Sequence, residues 1–160
     1  MTRAARRSVL AAFVLLAAGP VPADFQTALD AYNAGDFETA YNEWLPLAEK
    51  DSAEAQFNIG LLFDRGEGRE QDFESALEWY VRSAENGFAR GQFRLGEMHE
   101  AGRGVERNLI QARKWFAIAA ESRYPNGRKR KKKVAKGMTP GEIALGDMWA
   151  REFLKIRKAR

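Results

Sequence analysis

The sequence predicts an all-α solenoid of antiparallel helix pairs, about three pairs closed by a C-terminal capping helix. Three observations carry that prediction. Residues 57–80, FNIGLLFDRGEGREQDFESALEWY, return 36 residues later as 93–116, FRLGEMHEAGRGVERNLIQARKWF. Phe57 falls on Phe93, Gly60 on Gly96, Ala76 on Ala112, Trp79 on Trp115 and Ala84 on Ala120, and a fixed period of this length marks stacked supersecondary units. Within each unit the apolar residues recur at helical spacing. Each unit also holds a pair of glycines, Gly66 with Gly68 and Gly102 with Gly104, where a helix must end and the chain reverse.

Residues 1–23 read as a cleaved export signal. Arg3, Arg6 and Arg7 form a basic start, VLAAFVLLAA over 9–18 is a short apolar core, and Val21-Pro22-Ala23 offers small residues for cleavage before Asp24. The apolar run is about half the ~20 residues a spanning helix needs. Arg6-Arg7 also fits a twin-arginine start, although the rest of that motif is missing. An exported domain without cysteine is expected to be held by packing alone.

Residues 24–52 read as a degenerate first helix pair. Phe25, Leu29 and Tyr32 lie at helical spacing before the Gly35-Asp36 break, and Ala40, Trp44, Leu47 and Ala48 continue as an apolar stripe. Asp36 precedes Asp72 by one period, and Asp72 precedes Asn108 by another. Each is a good N-cap, since a short side-chain oxygen accepts from the first free backbone N–H groups.

Residues 53–88 and 89–122 are the two full units. Helix A of the first, about 53–65, carries Ala55, Ile59 and Phe63 on one face and Phe57 and Leu61 on another, which suits a helix buried between neighbours. Gly60 and Gly96 sit mid-helix at a cost of about 1 kcal/mol against alanine, so close approach of the paired helix is expected there. Helix B, about 72–86, presents Ala76, Tyr80 and Ala84 in one row beside Trp79. The pattern A-x-F-x-x-G-x-x-F-x-x-G-x-G followed by D-x-x-x-A-x-x-W-Y-x-x-x-A resembles the Sel1-like repeat, a relative of the tetratricopeptide repeats. The resemblance implies an α-solenoid that scaffolds protein–protein contacts and implies no reaction or cofactor; the competing reading is an enzyme or ligand-binding protein with a cleft that the sequence does not reveal.

Past Ser122 the composition changes. Residues 24–122 hold 10 Lys+Arg against 19 Asp+Glu, and residues 123–160 hold 13 against 3. Residues 123–138 form a basic segment with its densest charge at Arg128, Lys129, Arg130, Lys131, Lys132 and Lys133. Like charges at i, i+4 oppose a helix there. The family often closes with a short helix, which would fall on this run, and then a longer one that begins Met-Thr-Pro; Met138-Thr139-Pro140 matches that start of the capping helix and tail, 139–160. Thr139, Pro140 and Glu142 form a capping box. A stripe of Leu145, Trp149, Phe153 and Ile156 is expected to lie on the last repeat, with Gly141 and Gly146 weakening the helix.

Candidate chemistry is sparse. His99 is the single histidine and stands where the preceding unit has Phe63, so packing is its expected role. No Ser–His–acid order, phosphate-cradling loop or metal-ligand spacing occurs, and Asp64, Glu67, Glu70, Asp72 and Glu74 read as a solvated loop and helix entry. In the resembled family the A helices line a concave surface. Its register implies exposed partner contacts at Glu54, Asp64, Arg90, Glu97 and Glu100. The acidic body favours a basic partner segment, which includes the chain's own tail or a neighbour's. The run Arg128–Lys133 has three readings: a solvated face, a site for anionic membrane surface or acidic protein in the cell envelope, and a nucleic-acid site, which export disfavours.

Overall fold

The structure is a computed structural model that describes residues 24–159; the expected export signal at 1–23 lies outside them. Eight α-helices follow one another among these residues: α1 (Phe25–Asn33), α2 (Phe37–Glu49), α3 (Ala53–Arg65), α4 (Phe73–Glu85), α5 (Ala89–Ala101), α6 (Leu109–Glu121), α7 (Gly127–Val134) and α8 (Pro140–Lys158). A single 3-10 turn, Ala135–Gly137, joins the last two. Helices α1/α2, α3/α4 and α5/α6 pair, and each B helix also packs on the next A helix, so the stack is continuous.

Local chemistry sets the helix ends. Asp36 accepts from the Thr39 amide at 3.1 Å, Asp72 from the Glu74 and Ser75 amides at 3.0 and 3.1 Å, and Asn108 from the Gln111 amide at 3.0 Å. These are the three caps expected from the 36-residue register. Gly66 and Gly102 close α3 and α5 with φ of 68° and 69°, a left-handed conformation that a Cβ disfavours. At Thr139 and Glu142 both halves of the capping box form.

The mid-helix glycines admit aromatic rings. A Cβ at Gly60 would stand 2.8 Å from the Tyr80 ring, and one at Gly96 would stand 2.7 Å from Phe116. Both rings are fully buried, and burial of such a side chain is worth about 3 kcal/mol. That exceeds the ~1 kcal/mol of helix propensity lost at each glycine. Trp44, Ala48, Ala55, Ile59 and Leu62 fill the seam between the first two units, and Phe57, Tyr80 and Met98 fill the next.

In the C-terminal region the short closing helix that the resemblance implies forms on the basic run despite its like charges, since Gly127–Val134 is α7. Buried Gly127 sits so close to α6 that a Cβ would meet the Ala120 amide at 2.6 Å, and Val134 is buried. Acidic partners hold two of the six cations: Arg130 pairs with Glu97 and Glu100, and Lys131 lies 3.9 Å from Asp147. One expectation is corrected, because the contact line of α8 is rotated. Gly146 and Ala150 are buried against α6, with Phe153 and Leu154 packed beside them, whereas Ile156 is 51% exposed. Gly146, read as a helix weakener, is what lets α8 approach: a Cβ there would lie 3.1 Å from the Ile110 carbonyl oxygen.

Candidate functional site

Helices α3 and α5 leave few side chains exposed, whereas α7 exposes Arg128, Lys129, Lys132 and Lys133. Glu54 is exposed near the start of α3 and has no ion-pair partner among the described residues. Arg90 is exposed one period later, its guanidinium 4.6 Å above the Phe57 ring. The other expected contacts are not free. Asp64 is 9% exposed, which corrects its reading as an exposed position. It accepts from the Tyr80 hydroxyl at 3.2 Å and lies 3.7 Å from Arg103. The cause is geometric, because Gly60 admits Tyr80 and so carries the hydroxyl to Asp64. Burial, and then the Asp64 charge, push the Tyr80 pKa far up, so the phenol stays a neutral donor.

Glu97 pairs with Arg94 at 2.9 Å and Arg130 at 3.8 Å, and Glu100 pairs with Arg130. The tail therefore docks on the acidic body through one residue of the run. The other cations divide by side. Lys131 faces Asp147, while Arg128, Lys129, Lys132, Lys133 and Lys136 have no ion pair among the described residues. Lys129, Lys132, Lys133 and Lys136 follow i, i+3, i+4, i+7 spacing, which puts them on one side of α7 and its 3-10 extension. They border a groove of about 680 Å³ between α5 and α7, with Phe93, Glu97 and Arg130 in its lining.

Sequence reasoning missed that α7 continues the array as a further A helix. Tyr124, Gly127, Arg130 and Val134 fall 36 residues after Phe88, Gly91, Arg94 and Met98. The aromatic pair Phe57–Phe88, centroids 5.3 Å apart, accordingly returns as Phe93–Tyr124 at 4.7 Å. It also missed a buried polar ladder. The Gln56 amide donates to the Ala48 carbonyl at 2.9 Å and accepts from Asn86 at 3.0 Å. Gln92 repeats the device, donating to Ala84 at 3.3 Å and accepting from Ser122 at 2.8 Å. The signal was a glutamine repeated at the 36-residue period, each time directly before the phenylalanine that the A helix buries.

His99 is half-buried in α5, where burial and then Lys114 lower its pKa, and its Nδ1 is buried without a partner. Among the described residues no group of three or more His, Cys, Asp or Glu side chains is placed to hold a metal. No helix among them is long and apolar enough to cross a membrane. The arrangement can hold another chain by charge and shape.

A stacked array with a lined side face of this kind defines a helical-repeat interaction protein. Residues 53–88 and 89–124 each match the family model "Sel1 repeat", so the chain carries two Sel1 repeats. Such repeats generally mediate protein–protein interaction. A protective antigen present in uropathogenic Escherichia coli strains, which displays an SLR fold, is similar at 25% identity and a TM-score of 0.76. A Sel1 repeat protein from Oxalobacter formigenes is similar at 30% identity and a TM-score of 0.68. The similarity covers 80% and 81% of this chain but only 28% and 56% of those two. Comparison with curated proteins gives no match.

Proposed function

We propose that the protein is a non-enzymatic adaptor exported to the bacterial cell envelope, holding a segment of a partner protein along its A-helix side. The reading rests on one observation above the others, the groove between α5 and α7 with Phe93 in its lining and unpaired lysines at its edge. Exposed Glu54 and Arg90 on the A helices, with the lysines at the groove's edge, suit a partner segment of mixed charge, its acidic end toward α7. Extended surfaces of this kind bind segments rather than small molecules. The basic start and short apolar core of residues 1–23 support export.

Affinity capture from an envelope fraction tests the partner. The full chain is compared with a chain carrying Arg90→Glu and Lys133→Glu, which leaves Arg130 and Lys131 to hold α7. A protein retained by the first and released by the second is expected. Equal retention by both would move recognition off this side. Cell fractionation with N-terminal sequencing tests export; an unprocessed chain recovered from the cytoplasm would end the envelope reading.

The five unpaired cations of the α7 region favour a second reading, attachment to an anionic membrane surface. Each such residue near the surface contributes about 1 kcal/mol. Salt-dependent sedimentation with anionic vesicles, lost when Lys129, Lys132, Lys133 and Lys136 become glutamine, is its expected signature, and absence of binding at low salt excludes it.

A further inference from the structure

A second channel lies on the other side of α7. Helix α8 packs on α6 rather than pairing with α7, so a gap remains between the last two helices. A cavity of about 530 Å³ lies there against α6, and one of about 560 Å³ lies beside it between the C-terminal end of α6 and α7; Glu121 and Lys131 line both. Ala117 and Ala120 of α6, with Ala150 and Leu154 of α8, give the channel an apolar lining. Arg128 and Lys132 line it from α7, and Arg151, Lys155 and Lys158 line it from α8. None of these five cations has an ion pair among the described residues. Of the two acids in the lining, Asp147 is engaged by Arg113 and Lys131, which leaves Glu121 alone.

We propose that this channel docks an acidic segment of a partner protein that carries closely spaced apolar side chains. Carboxylates answer the two basic walls, and apolar groups answer the alanine and leucine lining, whose small side chains let a backbone come close. The charge of the channel decides against the chain's own residues 1–23, which hold three arginines and no acid. A phosphate polymer or lipid headgroup would satisfy the walls and leave the apolar lining unanswered. Lys129 and Lys132 border both the channel and the groove between α5 and α7, but the remaining cations separate: Arg151 and Lys155 line only the former and Lys133 and Lys136 only the latter.

That separation supplies the test. A displayed library of random short peptides is selected on the full chain, and enriched peptides are titrated by fluorescence anisotropy. The comparison chains carry Arg151→Glu with Lys155→Glu, or Lys133→Glu with Lys136→Glu, each checked for native helicity by circular dichroism. The expected peptides combine Asp or Glu with Leu or Phe and lose about tenfold in affinity on the first variant only. Failure to enrich such peptides, or equal binding to the first variant, overturns the proposal. Loss on the second variant alone overturns it too, and leaves the A-helix reading standing. Polyphosphate or phosphatidylglycerol vesicles that bind the wild type and not the first variant, where acidic–apolar peptides do not, would give the channel to phosphate groups. Self-association in sedimentation abolished by the first variant would give it to a second copy's acidic end. Either result also overturns the assignment.

Discussion

Arg113 of α6 and Asp147 of α8 meet at 2.8 Å, with Arg113 only 7% exposed. The same guanidinium donates to the Lys131 carbonyl of α7 at 3.0 Å. One side chain thus ties three helices together at the end of the array. It stands where the preceding unit has Leu77, so the repeat exchanges an apolar contact for an ionic clasp where the stack ends.

Arg113→Leu restores the residue of the preceding unit and should still destabilise the protein, by about 2–3 kcal/mol. Removing one partner of a buried pair costs about 3–5 kcal/mol, and Asp147, 26% exposed, recovers part of that through water. The double change Arg113→Leu with Asp147→Leu should regain most of the loss. Urea unfolding reads the stability, and hydrogen exchange should show α8 opening first in the single variant. Equal losses in the single and double variants would mean that the clasp is not what holds α8.

The glycines divide into two kinds with opposite expected responses. Gly60→Ala or Gly96→Ala drives a methyl into the Tyr80 or Phe116 ring, and overpacking of this kind costs about 1–3 kcal/mol. Gly141 has open space around its Cβ position, so Gly141→Ala should stabilise α8 by about 0.5–1 kcal/mol. Thermal unfolding of the three variants checks both signs; stabilisation by Gly60→Ala would show that the ring moves aside freely.

The stacked helix pairs were legible because the repeat writes its constraints twice. Glycine against aromatic, the Asp or Asn caps and the paired loop glycines each recur at one spacing. The final turn of the array was not, because Lys129 and Lys131 replace Phe93 and Leu95, so charge masked the register that Tyr124, Gly127 and Val134 preserve. The buried state of Asp64 was likewise hidden. Its exposure depends on where Tyr80 points, which the pattern of types along the chain does not encode. The rotation of α8 follows from close packing at Gly146, a contact that hydrophobic periodicity cannot register.

The glutamine ladder carries its own prediction. Gln92→Leu keeps the volume but strips a donor from the Ala84 carbonyl and an acceptor from the Ser122 hydroxyl. Unpaired buried polar groups cost about 1–3 kcal/mol, and Ser122, half-buried, can turn to water, so a loss of about 1–2 kcal/mol is expected. Urea denaturation gives the number. A neutral result would mean that the ladder fixes the register of neighbouring units without adding to their stability.

His99 should make stability depend on pH below neutrality. Burial, followed by the Lys114 charge, holds its pKa below the ordinary histidine value, while the unfolded chain titrates near 6.5. Between the lowered folded value and about 6.5 the unfolded chain binds a proton that the folded chain refuses, so stability falls as pH falls through that window. Above about 6.5 both states are neutral at this site and its contribution is complete. His99→Phe, which copies Phe63 of the preceding unit, removes the titration together with the unpartnered Nδ1. Urea midpoints measured from about pH 5 to 8 should therefore slope less steeply on the acid side for the variant than for the wild type. Parallel slopes would show that other groups set the acid sensitivity and that His99 reaches water readily when it protonates.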